Sequence, residues 1–182
     1  ENLPSSFDGF SFVQISDMHL GGYGSDTTFI AKMVNRINEI NAQAIFFTGD
    51  LVNTNSNEAL PFISTLSRLD ATHGVFSVFG NHDYSEYGRW ENKEAQIANH
   101  KLLYDYETQA GWKLLNNEHV TLRQGNDSII VIGVENIGEP PFKTYGDLKK
   151  AYPNLNDNNF KILLSHNPTH WRNEVTKSSN ID

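Results

Sequence analysis

Residues 44–48 (AIFFT) form a short, uninterrupted apolar run that stops at Gly49-Asp50, the pattern of a parallel strand covered on both faces. Two other segments repeat the arrangement. Residues 10–16 (FSFVQIS) alternate apolar and polar side chains and deliver Asp17 at their carboxyl end, while residues 74–79 (GVFSVF) end in Gly80-Asn81-His82-Asp83. The spacing predicts a helix over 27–41, with Ile30, Val34, Ile37 and Ile40 on one face and Asp26 as N-cap. A second helix is expected over 57–69 through Leu60, Ile63, Leu66 and Leu69, and a longer one over 91–110. Strands alternating with helices imply a parallel sheet, and such sheets carry their sites at the carboxyl ends of the strands.

The second half is written in shorter strands: 113–115, 119–123 and 128–134 (SIIVIGV), the last two an antiparallel hairpin around Gly125-Asn126-Asp127. After a Gly/Pro loop from Gly138 to Pro141, a short helix is expected near Leu148, followed by a strand over 161–165 (KILLS) that ends in His166. A chain of 182 residues suits one compact domain.

Four strand ends therefore present Asp17-x-His19, Gly49-Asp50, Gly80-Asn81-His82-Asp83 and Ser165-His166. Each alone is weak, since short motifs recur freely and Gly-Asp is common in turns. Together they gather carboxylate, amide and imidazole donors, the set that binds metal ions. The chain has no cysteine, so disulfides and thiolate metal sites are excluded and any metal is held by oxygen and imidazole nitrogen. With 14 Lys+Arg against 22 Asp+Glu, a formal charge of -8 argues against a nucleic-acid partner, whose phosphates need basic neutralisation. No apolar run approaches the roughly 20 residues that span a bilayer, and the start is not a signal peptide, so the chain as given reads as soluble.

The segments ISDMHLG, TGDLV, FGNHDY and LLSHNP resemble the calcineurin-like metallophosphoesterases, in the order that family uses. The likeness is greatest to bacterial members in which LLSHNP is followed by Gly-His-Thr-His. The resemblance implies an α/β fold of two facing mixed β-sheets flanked by helices, an αββα sandwich. It also implies hydrolysis of phosphate mono- or diesters at two divalent or trivalent transition-metal ions, Mn, Fe or Zn by donor type. Carried over, Asp17 and His19 bind the first metal, Asn81 and His166 the second, and Asp50 bridges both. A metal-bound hydroxide is the implied nucleophile, with His82 beside the phosphate as the other catalytic residue next to Asp50.

The chain departs from the family pattern in two places. Many members carry a second Asp in Gly-Asp-x-x-Asp that pairs with the loop histidine; here Asn53 stands there. The Gly-His-x-His segment is expected after a strand near Ile181-Asp182, so residues 1–182 read as a single phosphoesterase domain incomplete at its C-terminus, from a parent whose membrane association stays open. The bacterial cytoplasm and an extracytoplasmic setting are equally compatible. On that reading the second sheet exposes an edge, each metal lacks one ligand, and a catalytically impaired binding or scaffold protein is the alternative to an enzyme. His170 offers a substitute ligand but is expected to be a surface histidine. His73, His100 and His119 match no motif. Tyr23, Tyr84, Arg89 and Trp90 flank the loops and are expected to pack rather than react.

Overall fold

The computed structural model describes residues 3–140 and 143–181. Its first sheet has the order β1-β2-β3-β4, with β1 Phe12–Ile15, β2 Ala44–Phe47, β3 Val75–Ser77 and β4 Lys113–Leu114. Every neighbouring pair is parallel, so this sheet is purely parallel rather than mixed as the resemblance implied. The second sheet is mixed: β5 Glu118–Gln124 pairs antiparallel with β6 Asp127–Gly133 through the Gly125-Asn126 turn, and β7 Lys161–Leu164 pairs parallel with β6. The hairpin is where the sequence places it.

Alternation of side chains along the strands divides the apolar interior into three layers. Ala44, Phe46, Phe76 and Val78 from the first sheet meet Leu122, Ile129, Val131 and Leu164 from the second, so the sheets face one another. On the far side of the first sheet, Ile45, Phe47 and Val75 pack under α1 Thr28–Ile40, α2 Ile63–Leu66 and α3 Lys93–Gln109. On the far side of the second, Ile130 and Ile132 lie against Leu148 and Ala151 of α4 Leu148–Ala151 and against Val175. A parallel strand such as β2, apolar on both faces, is covered by helix on one side and sheet on the other.

Several predicted boundaries move. Asp26 Oδ1 accepts the Thr28 N–H at 2.9 Å, but the residue that enters α1 is Thr27, and Ile40 at the far end is exposed. The helix expected over 57–69 is broken into tight turns at Ser56–Glu58 and Leu60–Phe62 followed by α2. Pro61 is the cause: it has no N–H to give and it restricts Leu60, which turns outward while Ile63 and Leu66 stay buried. A helical segment opens near Thr169 and passes through a wider π-type stretch, Trp171–Val175. Ile181 is irregular rather than strand; Pro141 and Asp182 lie outside the described residues. Among the described residues no helix is long and apolar enough to cross a membrane.

Candidate active site

The loops after β1 and β2 do not separate when the strands end. Asp17 N–H donates to Gly49 O at 2.9 Å, His19 N–H to Asp50 O at 3.1 Å and Leu20 N–H to Leu51 O at 2.9 Å, so two ligand-bearing loops run side by side. Their backbone is not extended, however. Asp17, His19 and Asp50 all have positive φ, at 55°, 45° and 61°. For residues with a Cβ this region costs roughly 1–2 kcal/mol each, and such outliers cluster where side chains must be aimed. The expected projection of Asp17 and His19 to one face of a continuing strand is therefore replaced by a tighter device: the coil turns at each residue, burying Met18 between them in the core.

The aimed side chains converge. His19 Nε2 lies 3.9 Å from Asp17 Oδ1 and 3.6 Å from Asp50 Oδ2, and the same Asp50 Oδ2 lies 3.4 Å from His166 Nε2. Asn81 Oδ1 is 3.0 Å from His166 Nε2. Asp50 is shared by two donor clusters, one with His19 and His82 and one with Asp17 and His166. The second differs from the carried-over assignment, which paired Asp17 with His19. Asp17, His19, Asn81, His82 and His166, the other five residues singled out from the sequence, thus sit around Asp50.

Hydrogen bonds fix how each donor faces. The Asp50 carboxylate is only 4% exposed, and its Oδ1 accepts the His82 backbone N–H at 2.9 Å, which leaves Oδ2 for the two imidazoles. His166 Nδ1 sits 2.8 Å from Thr48 O. A carbonyl can only accept, so Nδ1 carries a proton and Nε2 is the nitrogen that faces Asp50 Oδ2 and Asn81 Oδ1. His82 Nδ1 likewise donates to Asn53 O at 2.7 Å, its ring held edge-on by His19 at 4.9 Å. The carboxylate expected at position 53 is thus replaced by a main-chain carbonyl, which orients the imidazole.

Two carboxylates, an amide oxygen and three imidazoles meet without a Lys or Arg ion pair to them among the described residues. Lone pairs so close repel unless a cation lies between them, and mixed oxygen and nitrogen donors suit Mn, Fe or Zn. The donor types present therefore fit metal ions, gathered as His19, Asp50 and His82 in one group and Asp17, Asp50 and His166 in the other, with Asn81 Oδ1 beside His166.

Beneath the donors lies a carboxylate whose role was not legible beforehand. Asp83 is fully buried and accepts from Asp50 N at 2.7 Å and Gly80 N at 2.8 Å through Oδ2, and from Leu51 N at 2.9 Å and Val52 N at 3.3 Å through Oδ1. It ties the Asp50 and Asn81 loops together. Burial, and next the neighbouring Asp50 charge, push its carboxyl up to about 7 against the pull of these N–H groups. Space is equally tight: a Cβ on Gly80 would stand 2.2 Å from Asp50 Oδ1 and 2.6 Å from its backbone N, so only glycine fits. Glu58 braces the other flank, accepting the N–H groups of Asn53, Thr54 and Asn55 at 2.6, 3.1 and 3.1 Å. The Asn55-x-x-Glu58 capping box was the readable signal for it.

The remaining singled-out residues lie outside the donor cluster. His170 is fully buried, not a surface residue: its Nδ1 is 2.9 Å from Ser165 Oγ and its Nε2 3.0 Å from Glu174 Oε2, and burial lowers its pKa. Tyr84 is stacked between Tyr145 at 3.9 Å and His100 at 5.1 Å, Tyr23 stacks on Phe29, and Trp90 Nε1 donates to Ser85 O. His73 and His119 contact Phe10 and Tyr152 respectively.

The calcineurin-like phosphoesterase family profile matches residues 10–181. Metallophosphoesterase YkuE of Bacillus subtilis is 32% identical over 173 residues, covering 91% of this chain and 54% of that protein. UDP-2,3-diacylglucosamine pyrophosphatase LpxG of Chlamydia trachomatis is 27% identical over 209 residues, covering 92% and 60%. The chain thus spans a little over half the length of these relatives. Among solved structures, the NAD nucleotidase NadN of Haemophilus influenzae has the same fold with a TM-score of 0.58 at 15% identity, covering 95% of this chain and 37% of that one. The profile match extends over nearly the whole sequence, from the start of β1 through the helix after β7, and the chain belongs to the calcineurin-like phosphoesterase family.

Proposed function

We propose that this chain is a metal-dependent hydrolase of phosphate mono- or diesters working with two divalent or trivalent transition-metal ions. The observation that carries the reading is the position of Asp50 Oδ2, 3.6 Å from His19 Nε2 and 3.4 Å from His166 Nε2. One carboxylate oxygen flanked by two imidazole nitrogens is an arrangement that would hold two cations close against their repulsion. Asp17 and His19 would hold one ion, Asn81 and His166 the other, with Asp50 between them. Bound there, the ions supply Lewis acidity toward a phosphoryl oxygen and activate water at neutral pH.

The chain's own residues do the rest. Asp50 is pinned at Oδ1 by the His82 backbone, so its Oδ2 would be already oriented for the ions it would share. His82, fixed through Nδ1 to Asn53 O, presents its other nitrogen to a phosphate oxygen or the leaving oxygen as a hydrogen-bond donor when protonated. The acidic balance of the chain favours a small phosphate ester over nucleic acid as partner. Because LpxG is by name a pyrophosphatase, the substrate panel includes a P–O–P bond.

Elemental analysis of the purified protein, run with assays on p-nitrophenyl phosphate, bis(p-nitrophenyl) phosphate and a nucleoside diphosphate sugar, tests the proposal. The expected result is close to two equivalents of Mn, Fe or Zn and hydrolysis of at least one ester, both lost in Asp50→Ala. A protein that takes up neither metal nor cleaves any of these esters overturns it.

A further inference from the structure

The loop after the Asn81-to-Tyr84 turn returns one aromatic side chain to the site. Tyr87 Oη accepts a hydrogen bond from Asn81 Nδ2 at 2.9 Å, and its ring lies over the His82 imidazole with centroids 4.4 Å apart and planes 31° apart. A single half-exposed residue thus touches both the amide expected to ligate one metal and the imidazole expected to face phosphate.

We infer that Tyr87 is a positioning residue for both groups, its hydroxyl setting the Asn81 carboxamide and its ring setting the His82 imidazole; this rests on the two-metal reading of the site. The carboxamide has two ends. Its Oδ1 is 3.0 Å from His166 Nε2, on the side shared with Asp50, and its Nδ2 is occupied by Tyr87 Oη. Rotation about the terminal torsion is broad and cheap for an unrestrained Asn, so the hydroxyl that holds the far end restrains the carboxamide while its oxygen faces His166. Such outer partners commonly govern metal affinity or activity by about 10–100-fold when removed. His82 is already held at Nδ1 by Asn53 O and meets His19 edge-on; the Tyr87 ring packs against the imidazole as a third contact. Without that ring the imidazole is free to swing about the Nδ1 hydrogen bond.

The two contacts are separable by substitution. Tyr87→Phe keeps the ring and removes the hydroxyl; Tyr87→Leu removes both. Calorimetric titration of the metal-stripped protein with Mn2+ is expected to show the weaker of two binding steps loosened by about 10-fold in both variants. At saturating Mn2+, kcat is expected to fall by about 10-fold in Tyr87→Leu with KM little changed and to return toward wild type in Tyr87→Phe. Tyr104→Phe, an exposed tyrosine on α3 away from the site, should change neither quantity, and thermal melts establish that each variant is folded. If wild type binds Mn2+ and turns over while both Tyr87 variants match it in affinity and kcat, Tyr87 has no positioning role. If wild type binds none of Mn2+, Fe2+ and Zn2+, the two-metal reading fails and this inference fails with it.

Discussion

Asp83→Asn isolates the carboxylate that ties the ligand loops together. The substitution preserves shape and volume but leaves one acceptor oxygen in place of two. That oxygen can serve one of the two N–H pairs, either Asp50 with Gly80 or Leu51 with Val52, and the new amide group then faces the other pair donor to donor. Two buried N–H groups without acceptors cost roughly 1–3 kcal/mol each. Relief of a carboxylate that burial and Asp50 hold up at about 7 offsets part of this, so the net loss is about 3 kcal/mol. For a chain of this size that is roughly 6–12 °C in Tm. Urea unfolding in EDTA at pH 8 is the measurement, since chelation removes any contribution from metal binding. The pH matters because the folded pKa of Asp83 lies above the unfolded one: the folded chain binds the extra proton between about pH 4 and 7, and wild type loses that stability as pH rises through this window. The Asn variant cannot titrate, so its deficit is smallest above pH 7 and the assay there sets a lower bound. A difference under about 0.5 kcal/mol at pH 8 would refute the idea that these four hydrogen bonds hold the loops.

Three further outcomes follow from the same geometry. Glu107 is fully buried, its carboxyl raised by burial and then by the Asp83 charge, with Oε2 bonded to Ser77 Oγ and Oε1 without a partner. With its carboxyl raised, the folded chain holds this proton more tightly than the unfolded one, so wild-type stability declines as pH rises above the ordinary glutamate range, by up to about 1.4 kcal/mol per pH unit. Glu107→Gln should flatten that decline in urea midpoints taken from pH 5 to 8, and parallel curves for the two proteins would count against the raised carboxyl. Gly80→Ala drives a Cβ into the backbone N and carboxylate of Asp50, which cannot both retreat; a loss of about 1–3 kcal/mol and weakened Mn2+ binding are expected by thermal melt and calorimetry. His170→Ala removes a buried ring that links Ser165 to Glu174, and should cost about 2–4 kcal/mol in unfolding free energy while leaving metal stoichiometry unchanged; a change in bound metal instead would mean that His170 acts in the site.

What the sequence revealed of the fold follows from the strength of each local signal. The apolar run of β2, the alternation of β1 and the Gly125-Asn126 hairpin are dictated by periodicities of two and by turn chemistry, and their strands lie where those rules place them. Apolar spacing alone favours a helix over 57–69, and Pro61 overrides it because a missing N–H is a stronger constraint than a favourable face. The parallel character of the whole first sheet was likewise written in the alternation of strand and helix, whereas the mixed pairing carried over with the resemblance holds only for the second sheet.

The candidate site was legible to the depth of its donors and no further, for a physical reason. Side chains able to bind metal are restricted to a few chemical types, so Asp17, His19, Asp50, Asn81 and His166 stand out as candidates by type and by place at strand ends. The groups that hold them carry no such restriction. Thr48 and Asn53 act through main-chain carbonyls that every residue possesses, and Asp83 acts by accepting main-chain N–H groups from a loop some thirty residues distant. None of these leaves a mark in spacing, because the partner is a backbone atom fixed only once both loops have folded. The same argument explains the left-handed backbone at Asp17, His19 and Asp50, where none of the three is glycine. A chain normally avoids that conformation at such residues. Here the Asp83 network and the hydrogen bonds between the β1 and β2 loops over-determine it, so the rigid sheets bear the conformational cost that keeps three donor side chains aimed at one place.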